Sequence, residues 1–191
     1  MRRDNSIWVF FGLIAAGKST LAENWAARHG MTYLNSDRVR KDLAGLAPTT
    51  RIQESLARGI YTSEFTRRTY DELLRRAEDE ILCNKSVVLD ASYQSRGERR
   101  LIRELAGRLG VDVFFILCHC PDDEVKRRLD LREKDPDAVS DGRLEIYLAQ
   151  KDLFEAPDEL PESSLFRLLT TGTIDDLLTE LDEIFEVEKH V

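Results

Sequence analysis

A nonapeptide near the start of the chain combines glycine, lysine and hydroxyl side chains at a spacing that can hold a phosphate group. It reads G-L-I-A-A-G-K-S-T, from residue 12 to residue 20. Glycines at both ends let the backbone curl so that its N–H groups point inward at phosphate oxygens, and a helix that starts there adds the positive end of its dipole. Lys18 can then reach the β- and γ-phosphates of a nucleotide, and the hydroxyl of Ser19 can bind Mg²⁺. The pattern predicts that ATP, with Mg²⁺, contacts Gly12, Ala15, Ala16, Gly17, Lys18, Ser19 and Thr20.

The same region has a second interpretation, because residues 7–16 are similar to the apolar core of a secretory signal that ends in small residues. Asp4 lies where such a signal carries positive charge, and no extracellular signature follows it. Three cysteines cannot all pair with one another, which favours a reducing compartment. No apolar stretch reaches the roughly 18 residues that a membrane helix needs. We therefore expect a strand followed by a phosphate loop, in a cytoplasmic protein that does not bind a membrane.

A candidate for a second reactive group follows the next apolar run, in the sequence LNSDRVRKDL at residues 34–43. Asp37 would lie at the carboxyl edge of a parallel sheet, beside the phosphate loop, where α/β proteins bind their ligands. A carboxylate there could accept the proton of a substrate hydroxyl as that hydroxyl attacks the γ-phosphate. The alternative is that Ser36 and Asp37 only begin a helix, whose solvent face then carries Arg38, Arg40 and Lys41. The residues alone do not decide between the two interpretations.

Two further groups have the chemistry of a phosphoryl-transfer site. Asp90 ends the apolar run VVL, and an acid in that position commonly holds Mg²⁺ through water, although substrate binding and a plain turn are alternatives. Arg128 and Arg132 are four residues apart, so on a helix they share one face and could bind the same phosphates. The alternative for these arginines is a solvated helix on which they pair with Asp130, Glu133 and Asp135.

Short apolar runs alternate with longer segments of helical composition, and these elements must position the reactive groups. The predicted strands are 7–11, 31–35, 86–90, 111–118 and 164–169, and the predicted helices are 18–29, 37–44, 61–83, 94–109, 122–133, 141–152 and 174–187. Strands that alternate with helices favour an α/β fold, a three-layer sandwich around a five-stranded parallel sheet. The runs 31–35 and 111–118 and, less clearly, 7–11 lack polar alternation, so we expect them to be central strands. A chain of 191 residues with 42% hydrophobic content is expected to form one domain, 1–191.

The phosphate loop and the sequence N-S-D-x-x-R-K at residues 35–41 together resemble the predicted P-loop kinases of the AAA-like family. These are relatives of polynucleotide 5′-hydroxyl kinases, zeta-toxin kinases, gluconate kinase and chloramphenicol phosphotransferase. Weaker similarity covers most of the chain, including VVLDASY (87–93), RRLDLR (127–132), Ser140-Asp141 and 59–74. The resemblance implies the strand order 2-3-1-4-5, Asp37 as the catalytic base and Arg40 as a ligand of the substrate or its phosphate. It also implies a helical substrate cap at 45–84 and a lid at 125–143, from which Arg128 and Arg132 reach ATP.

Together these features predict an ATP-dependent kinase that moves the γ-phosphate to a hydroxyl of a small molecule or a nucleoside-like acceptor. A net charge of −8 disfavours a long nucleic acid as a partner, because overall acidity would repel it, but does not exclude one. The alternatives are a polynucleotide 5′-hydroxyl kinase, a zeta-toxin-like kinase of nucleotide sugars, and an ATP-binding regulator that has no phosphoacceptor. Arginines are frequent between residues 51 and 76, where they could form a substrate-binding cap or pair with acids on a long surface helix.

Overall fold

The fold is built on a sheet of five parallel strands in the order β2-β3-β1-β4-β5. A computed structural model of the chain describes residues 5–50, 59–133 and 144–188. The strands are β1 (Ser6–Phe11), β2 (Thr32–Asn35), β3 (Val87–Asp90), β4 (Asp112–His119) and β5 (Leu165–Leu169). The predicted α/β class, the parallel pairing and the strand order are all confirmed.

The described helices lie between and after these strands, close to their predicted positions. They are α1 (Lys18–His29), α2 (Ser36–Leu43), α3 (Ser63–Leu82), α4 (Arg96–Leu109), α5 (Asp122–Glu133), α6 (Leu144–Leu153) and α7 (Ile174–Glu188). Gly30 and Gly110 end α1 and α4 with φ values of 64° and 68°, in agreement with the predicted helix ends at residues 29 and 109. None of the helices in the described ranges is both long and apolar enough to cross a membrane.

The helices cover both faces of the sheet and so form the outer layers of the sandwich. Alternate side chains of β1 point to opposite faces. Ile7, Val9 and Phe11 pack with residues of α2, α3 and α4, whereas Trp8 and Phe10 pack with residues of α1 and α7. Because both sets are buried, every position from 7 to 11 needs an apolar side chain, which explains the unbroken run IWVFF.

The expectation that the run 31–35 forms a central strand is wrong. β2 is an edge strand that pairs with β3, and among its four residues only Asn35 is buried. The run is apolar on both faces because helices extend over this edge: Tyr33 packs against one hydrophobic core and Leu34 against the other. The central strands are β3, β1 and β4, of which β3 is buried at all four positions.

The start of α2 differs slightly from the prediction, in a way that bears on the site. The helix begins at Ser36, and its cap is Asn35, whose Oδ1 accepts a hydrogen bond from the backbone N–H of Arg38 at 3.0 Å. Asn35 therefore ends β2 and starts α2 at once. The predicted start of the sixth helix at residue 141 lies outside the described residues, as does Ser140.

Candidate active site

The loop between β1 and α1 holds its two glycines at positive φ values and in close contact with neighbouring atoms. Gly12 has a φ of 129°, and a Cβ atom there would lie 2.4 Å from the carbonyl oxygen of Cys118. Gly17 has a φ of 82°, and a Cβ atom there would lie 3.0 Å from the guanidinium of Arg128. Glycine adopts such φ values at the lowest steric cost. The backbone geometry therefore requires both glycines of the motif.

The first turn of α1 is open to an anion. Its cap is Gly17, which offers no side chain to its N–H groups, and its first turn contains no acidic residue. These N–H groups carry the partial positive charge of the helix end. Lys18 adds a full charge, and its Nζ donates to the carbonyl of Leu13 at 2.7 Å, so the ammonium group lies across the loop. The residues present thus fit the phosphate groups of a nucleotide.

Two side chains from outside the motif hold carbonyl groups of the loop. Thr170, buried just after β5, donates its hydroxyl to the carbonyl of Ala16 at 2.7 Å. Arg128 on α5 donates to the carbonyl of Ala15 at 3.2 Å and also to that of Thr170. The C=O and N–H of one trans peptide point in opposite directions. The bond from Thr170 to the Ala16 carbonyl therefore turns the N–H of Gly17 away from Thr170. The loop conformation is thereby fixed from its outer side.

Asp90 ends β3 and is only 1% exposed. Its Oδ2 accepts hydrogen bonds from the Asn35 side-chain amide at 2.6 Å and from the Tyr33 hydroxyl at 2.7 Å. Burial raises the pKa of Tyr33 far above its ordinary value, and the charge of Asp90 raises it further, so this hydroxyl stays protonated and donates. Both donors bind the same oxygen, which orients the carboxylate at the cavity that Ser19 also lines.

Asp37 is the second residue of α2 and lines the same cavity as Lys18 and Ser19. The carboxyl edge of the sheet thus brings together a phosphate loop and a carboxylate, as predicted. The two groups come from the ends of β1 and β2, which lie on either side of β3 in the sheet.

Arg40 follows one turn later on α2 and is 7% exposed. Its guanidinium donates to the carbonyl of Ile60 at 2.8 Å and to the hydroxyl of Thr66 at 3.1 Å, both of which are neutral groups. Its Nε is buried and has no hydrogen-bond partner within the described parts of the chain. Lys41 is also buried, so the interpretation that places Arg40 and Lys41 on the solvent face of the helix is wrong.

A cavity of about 250 Å³ connects these groups. Lys18 and Ser19 of the phosphate loop line it, together with the acids Asp37 and Asp90. Helix α6 closes another side, where the side-chain oxygen of Gln150 accepts a hydrogen bond from the backbone N–H of Ile14 at 2.9 Å. The cavity therefore lies between the phosphate loop and helices that belong to other parts of the chain.

One wall of the cavity, the polar wall, consists of Tyr70 on α3, Ser92 and Gln94 in the loop after β3, and Glu98 on α4. The hydroxyls of Tyr70 and Ser92 lie 3.0 Å apart. Glu98 belongs to a capping box with Ser95, in which each side chain binds the backbone N–H of the other residue at 3.2 and 3.1 Å. Burial raises the pKa of the Glu98 carboxyl above its ordinary value.

A fully buried arginine fixes the loop that carries this wall. Arg99 pairs with Glu159 at 2.6 Å and donates to the carbonyl of Tyr93 at 2.9 Å. The backbone N–H of Glu155 donates to the carbonyl of Gln94 at 2.9 Å. Tyr93 itself has a φ of 39°, which is strained for a residue with a side chain and is held by these surroundings. The acidic stretch 155–164 thus holds the loop 93–94 in place.

Of the two predicted lid arginines, Arg128 and Arg132, the structure describes the side chain of Arg128 only. Arg128 faces the outer side of the phosphate loop, and its Nε pairs with Glu124 at 2.7 Å. Arg127 pairs with the same acid at 2.7 Å, and Glu124 is a partner that the sequence did not suggest. Arg132 lies in the last turn of α5, and its side chain falls outside the description, as do residues 134–143 of the predicted lid. Its assignment stays a prediction.

The arginine-rich segment divides into a solvent side and a cavity side. Arg75 and Arg76 pair with Glu72 at 2.7 Å each, and Arg67 and Arg68 are exposed, which favours the surface-helix interpretation for these four. Arg51 and Arg58 lie outside the described residues. The cavity side is formed instead by the uncharged residues Tyr61, Thr66 and Tyr70.

Sequence reasoning missed several groups that shape the site. These are Tyr33, Asn35, Gln94, Glu98, Gln150 and Thr170. Only Glu98 had a readable signal, because S-x-x-E at residues 95–98 is the sequence form of a capping box. The others act through contacts between elements that are distant in sequence, which periodicity and spacing do not reveal.

The donor set also fits a magnesium ion. Mg²⁺ keeps several of its water ligands and binds nucleotide phosphates together with one or two protein oxygens. The described residues contain no cluster of three or more His, Cys, Asp or Glu side chains that could hold a metal by themselves. The Ser19 hydroxyl and the oriented Asp90 carboxylate, which line one cavity, offer the sparse oxygen set that this ion uses.

Comparisons with known proteins agree with this geometry. Residues 7–157 match the protein family described as AAA domain. No curated protein matches the sequence.

Solved structures match over almost the whole chain. A gluconokinase from Sinorhizobium meliloti 1021 is 18% identical, with a TM-score of 0.61 over 98% of this chain and 99% of that chain. APS kinase from Mycobacterium tuberculosis, in complex with AMPPNP and APS, is 21% identical, with a TM-score of 0.60 over 97% and 99%. Shikimate kinase from Acinetobacter baumannii, in complex with shikimate, is 18% identical, with a TM-score of 0.63 over 97% and 94%. At these identities the likeness shows a shared fold, and the predicted P-loop kinase fold is confirmed.

Proposed function

This chain belongs to the AAA domain family, and from that premise we propose that it is a kinase that transfers the γ-phosphate of ATP to a hydroxyl group of a small molecule. One observation carries the proposal: the phosphate loop and the Asp37 carboxylate line a single cavity of about 250 Å³. A protein that only binds or hydrolyses ATP needs no carboxylate facing a second compartment. The kinase fold shared with the gluconokinase, the APS kinase and the shikimate kinase supports the same reaction class.

In this proposal the loop from Gly12 to Thr20 binds the phosphates of ATP, and Lys18 contacts the β- and γ-phosphates. The APS kinase structure contains AMPPNP, a nucleotide that ends in a γ-phosphate, which supports ATP as the donor. Mg²⁺, held by Ser19 and by Asp90 through water, would neutralise charge on the phosphate oxygens. Arg128 supports the loop from outside, and Arg132 reaches the phosphates from the lid.

The oxygen of the acceptor hydroxyl attacks the γ-phosphorus, and the bond from the γ-phosphorus to the oxygen that bridges it to the β-phosphate breaks. Asp37 accepts the proton of the hydroxyl during this attack. The position of Asp37 on the first turn of α2 suits this role, because the residue lines the same cavity as Lys18 and Ser19 of the phosphate loop. ADP and the phosphorylated acceptor are the products.

Arg40 gives the acceptor its first recognisable property. Among the described residues, the buried Arg40 guanidinium has neutral hydrogen-bond partners and its Nε has none, which favours an anionic group on the molecule that fills the cavity. Gluconate, shikimate and APS, which the relatives named above act on or bind, all carry such a group. We assign the segment 45–84 as the substrate cap and 125–143 as the lid that closes over ATP.

Labelled ATP tests the proposal directly. The γ-labelled nucleotide is offered with sugars, sugar acids, nucleosides and hydroxy acids, and transfer of label is followed in the wild type, Asp37→Asn and Lys18→Ala. We expect one class of acceptors to become labelled by the wild type and both variants to lose about two to four orders of magnitude in rate. Hydrolysis of ATP without a labelled acceptor would instead favour an ATP-binding regulator, and unchanged transfer by Asp37→Asn would remove the proposed base.

A further inference from the structure

The polar wall contains more hydrogen-bonding groups than phosphoryl transfer requires. Tyr70, Ser92, Gln94 and Glu98 all line the cavity, yet none belongs to the phosphate loop or carries the proposed catalytic chemistry. Arg99 and Glu155 hold the backbone of this loop in place. Side chains on such a fixed loop are positioned in advance for a ligand, which lowers the entropy that binding must overcome.

Glu98 is the most informative group of the wall. Its capping role uses Oε2, which accepts the backbone N–H of Ser95, and glutamine fills that role in a capping box as well as glutamate does. A partly buried carboxylate is less favourable for the fold than the neutral amide, because ionising it there opposes desolvation. Capping alone therefore does not explain why this position carries a charge, whereas a ligand that donates hydrogen bonds to it would.

Gln94 points to the same conclusion from a different kind of observation. Its side-chain oxygen is buried and has no hydrogen-bond partner in the described ranges 5–50, 59–133 and 144–188. A buried acceptor that lacks a donor is unfavourable, so a ligand donor in the cavity would satisfy it. Gln94 and Glu98 together present hydrogen-bond acceptors, and the complementary ligand groups are donors.

Arg40 and Glu98 line one cavity and both interact electrostatically with Tyr70. Burial raises the pKa of Tyr70, the charge of Glu98 raises it further, and the charge of Arg40 opposes both. One phenol thus lies within range of both charged groups, and the cavity they share is smaller than the roughly 300–1,000 Å³ of pockets for drug-sized ligands. A molecule of sugar size suffices to contact both.

We propose that the acceptor is a small polyhydroxylated acid, whose anionic group binds Arg40 and whose hydroxyls, beyond the one that is phosphorylated, donate to Gln94 and Glu98. Hydroxyls suit this wall better than an ammonium group, because three of its four side chains are neutral. An ammonium group would have to form a desolvated ion pair with Glu98. The inference rests on the proposed kinase activity and names the substrate class of the same site.

Acceptor specificity tests the substrate class. Transfer from γ-labelled ATP is compared for D-gluconate and shikimate, which are polyhydroxylated acids, and for sorbitol, lactate and L-serine, which lack either the acid or the extra hydroxyls. We expect kcat/KM for at least one polyhydroxylated acid to exceed that for the other three by about tenfold or more. If sorbitol, lactate or serine is preferred, the substrate class is wrong while the kinase proposal stands. If neither polyhydroxylated acid is labelled, the substrate class is wrong as well, and the wider acceptor screen described above decides the kinase proposal.

Substitution of Glu98 tests the wall itself. Glu98→Gln keeps the capping box, so it separates recognition from folding. We expect the KM for the acceptor to rise about tenfold or more, with the KM for ATP unchanged and a thermal midpoint no lower than that of the wild type. Glu104→Gln is the matched control, because Glu104 lies on the same helix, is exposed and pairs only with Arg100 among the described residues, at 3.5 Å. An unchanged acceptor KM in Glu98→Gln, or an equal rise in Glu104→Gln, would overturn the inference.

Discussion

Asn35 supports both carboxylates assigned to phosphoryl transfer, and replacing it should separate that support from helix stability. Its Oδ1 caps α2, which carries Asp37, and its side-chain amide donates to Asp90 at 2.6 Å. Serine can keep the cap, because a hydroxyl also accepts the backbone N–H of Arg38, but it lacks the amide that reaches Asp90. Alanine removes both contacts.

The structure sets the expected magnitudes. A buried hydrogen bond to a charged group contributes about 1.5–3 kcal/mol, so Asn35→Ser should lose about that much free energy of unfolding. Asn35→Ala should lose about 1 kcal/mol more, the contribution of the cap. Thr173→Ala is the control: it removes a hydroxyl that accepts the Asp176 N–H at 3.3 Å at the start of α7, on the other face of the sheet. Urea unfolding of the four proteins measures these differences.

Binding of ATP at a series of Mg²⁺ concentrations shows whether the carboxylate itself has lost its support. Removing a hydrogen bond that orients a metal-binding carboxylate typically weakens metal binding about 10–100-fold. Both Asn35 variants should therefore need about 10–100 times more Mg²⁺ for tight ATP binding, measured by calorimetry, and Thr173→Ala should need no more than the wild type. If Asn35→Ser binds ATP at the wild-type Mg²⁺ concentration, Asn35 does not act through Asp90 and the reasoning is refuted.

Two further predictions concern a glycine pair and an ionisation. Gly12→Ala should abolish ATP binding or prevent folding, because its Cβ would lie 2.4 Å from the Cys118 carbonyl oxygen. Gly107→Ala is the matched variant, because a Cβ there meets no atom within 4 Å. It should raise the free energy of unfolding in urea by about 0.5–1 kcal/mol. Equal effects of the two would show that the loop has room at Gly12. Because burial raises the folded-state pKa of Glu98 above its unfolded value, the contribution of Glu98 to stability should fall as pH rises through that interval, so the wild type should lose stability there relative to Glu98→Gln. Parallel stability curves for both proteins from pH 4 to pH 8 would contradict the stated ionisation.

The phosphate loop was predictable because its chemistry depends on residues that are adjacent in sequence. Glycines, a lysine and a hydroxyl at fixed spacing determine one backbone path, and the structure has that path at residues 12–20. The placement of Asp37 was predictable for a related reason, since parallel strands bring their carboxyl ends to one edge. Local spacing and sheet topology together gave the positions of the donor loop and of the candidate base.

Burial and long-range pairing were not predictable in the same way. Arg40 and Arg38 are both arginines on a short amphipathic helix, yet only Arg40 is buried, because α3 and the residues around 60 cover its side of α2. The edge position of β2 was not predictable either, because its apolar residues pack against two different hydrophobic cores, as those of a central strand do. Thr170 had no signature, because a hydroxyl that binds the Ala16 carbonyl lies 154 positions away in the chain.

The placement of the helices on the two faces of the sheet has a consequence for how such a protein could be altered. Thr170 and the start of α1 hold the phosphate loop on one side, while α2, α3 and the start of α4 line the part of the cavity that we propose for the acceptor. A hydrogen bond from the Gly12 N–H to the Ser92 carbonyl, at 3.2 Å, joins the two halves through backbone atoms alone. Because that bond needs no particular side chain at position 92, the acceptor side can be randomised in a library while the ATP side stays intact. New acceptor specificities should therefore be reachable by selection at positions 92, 94 and 98 without rebuilding the donor site.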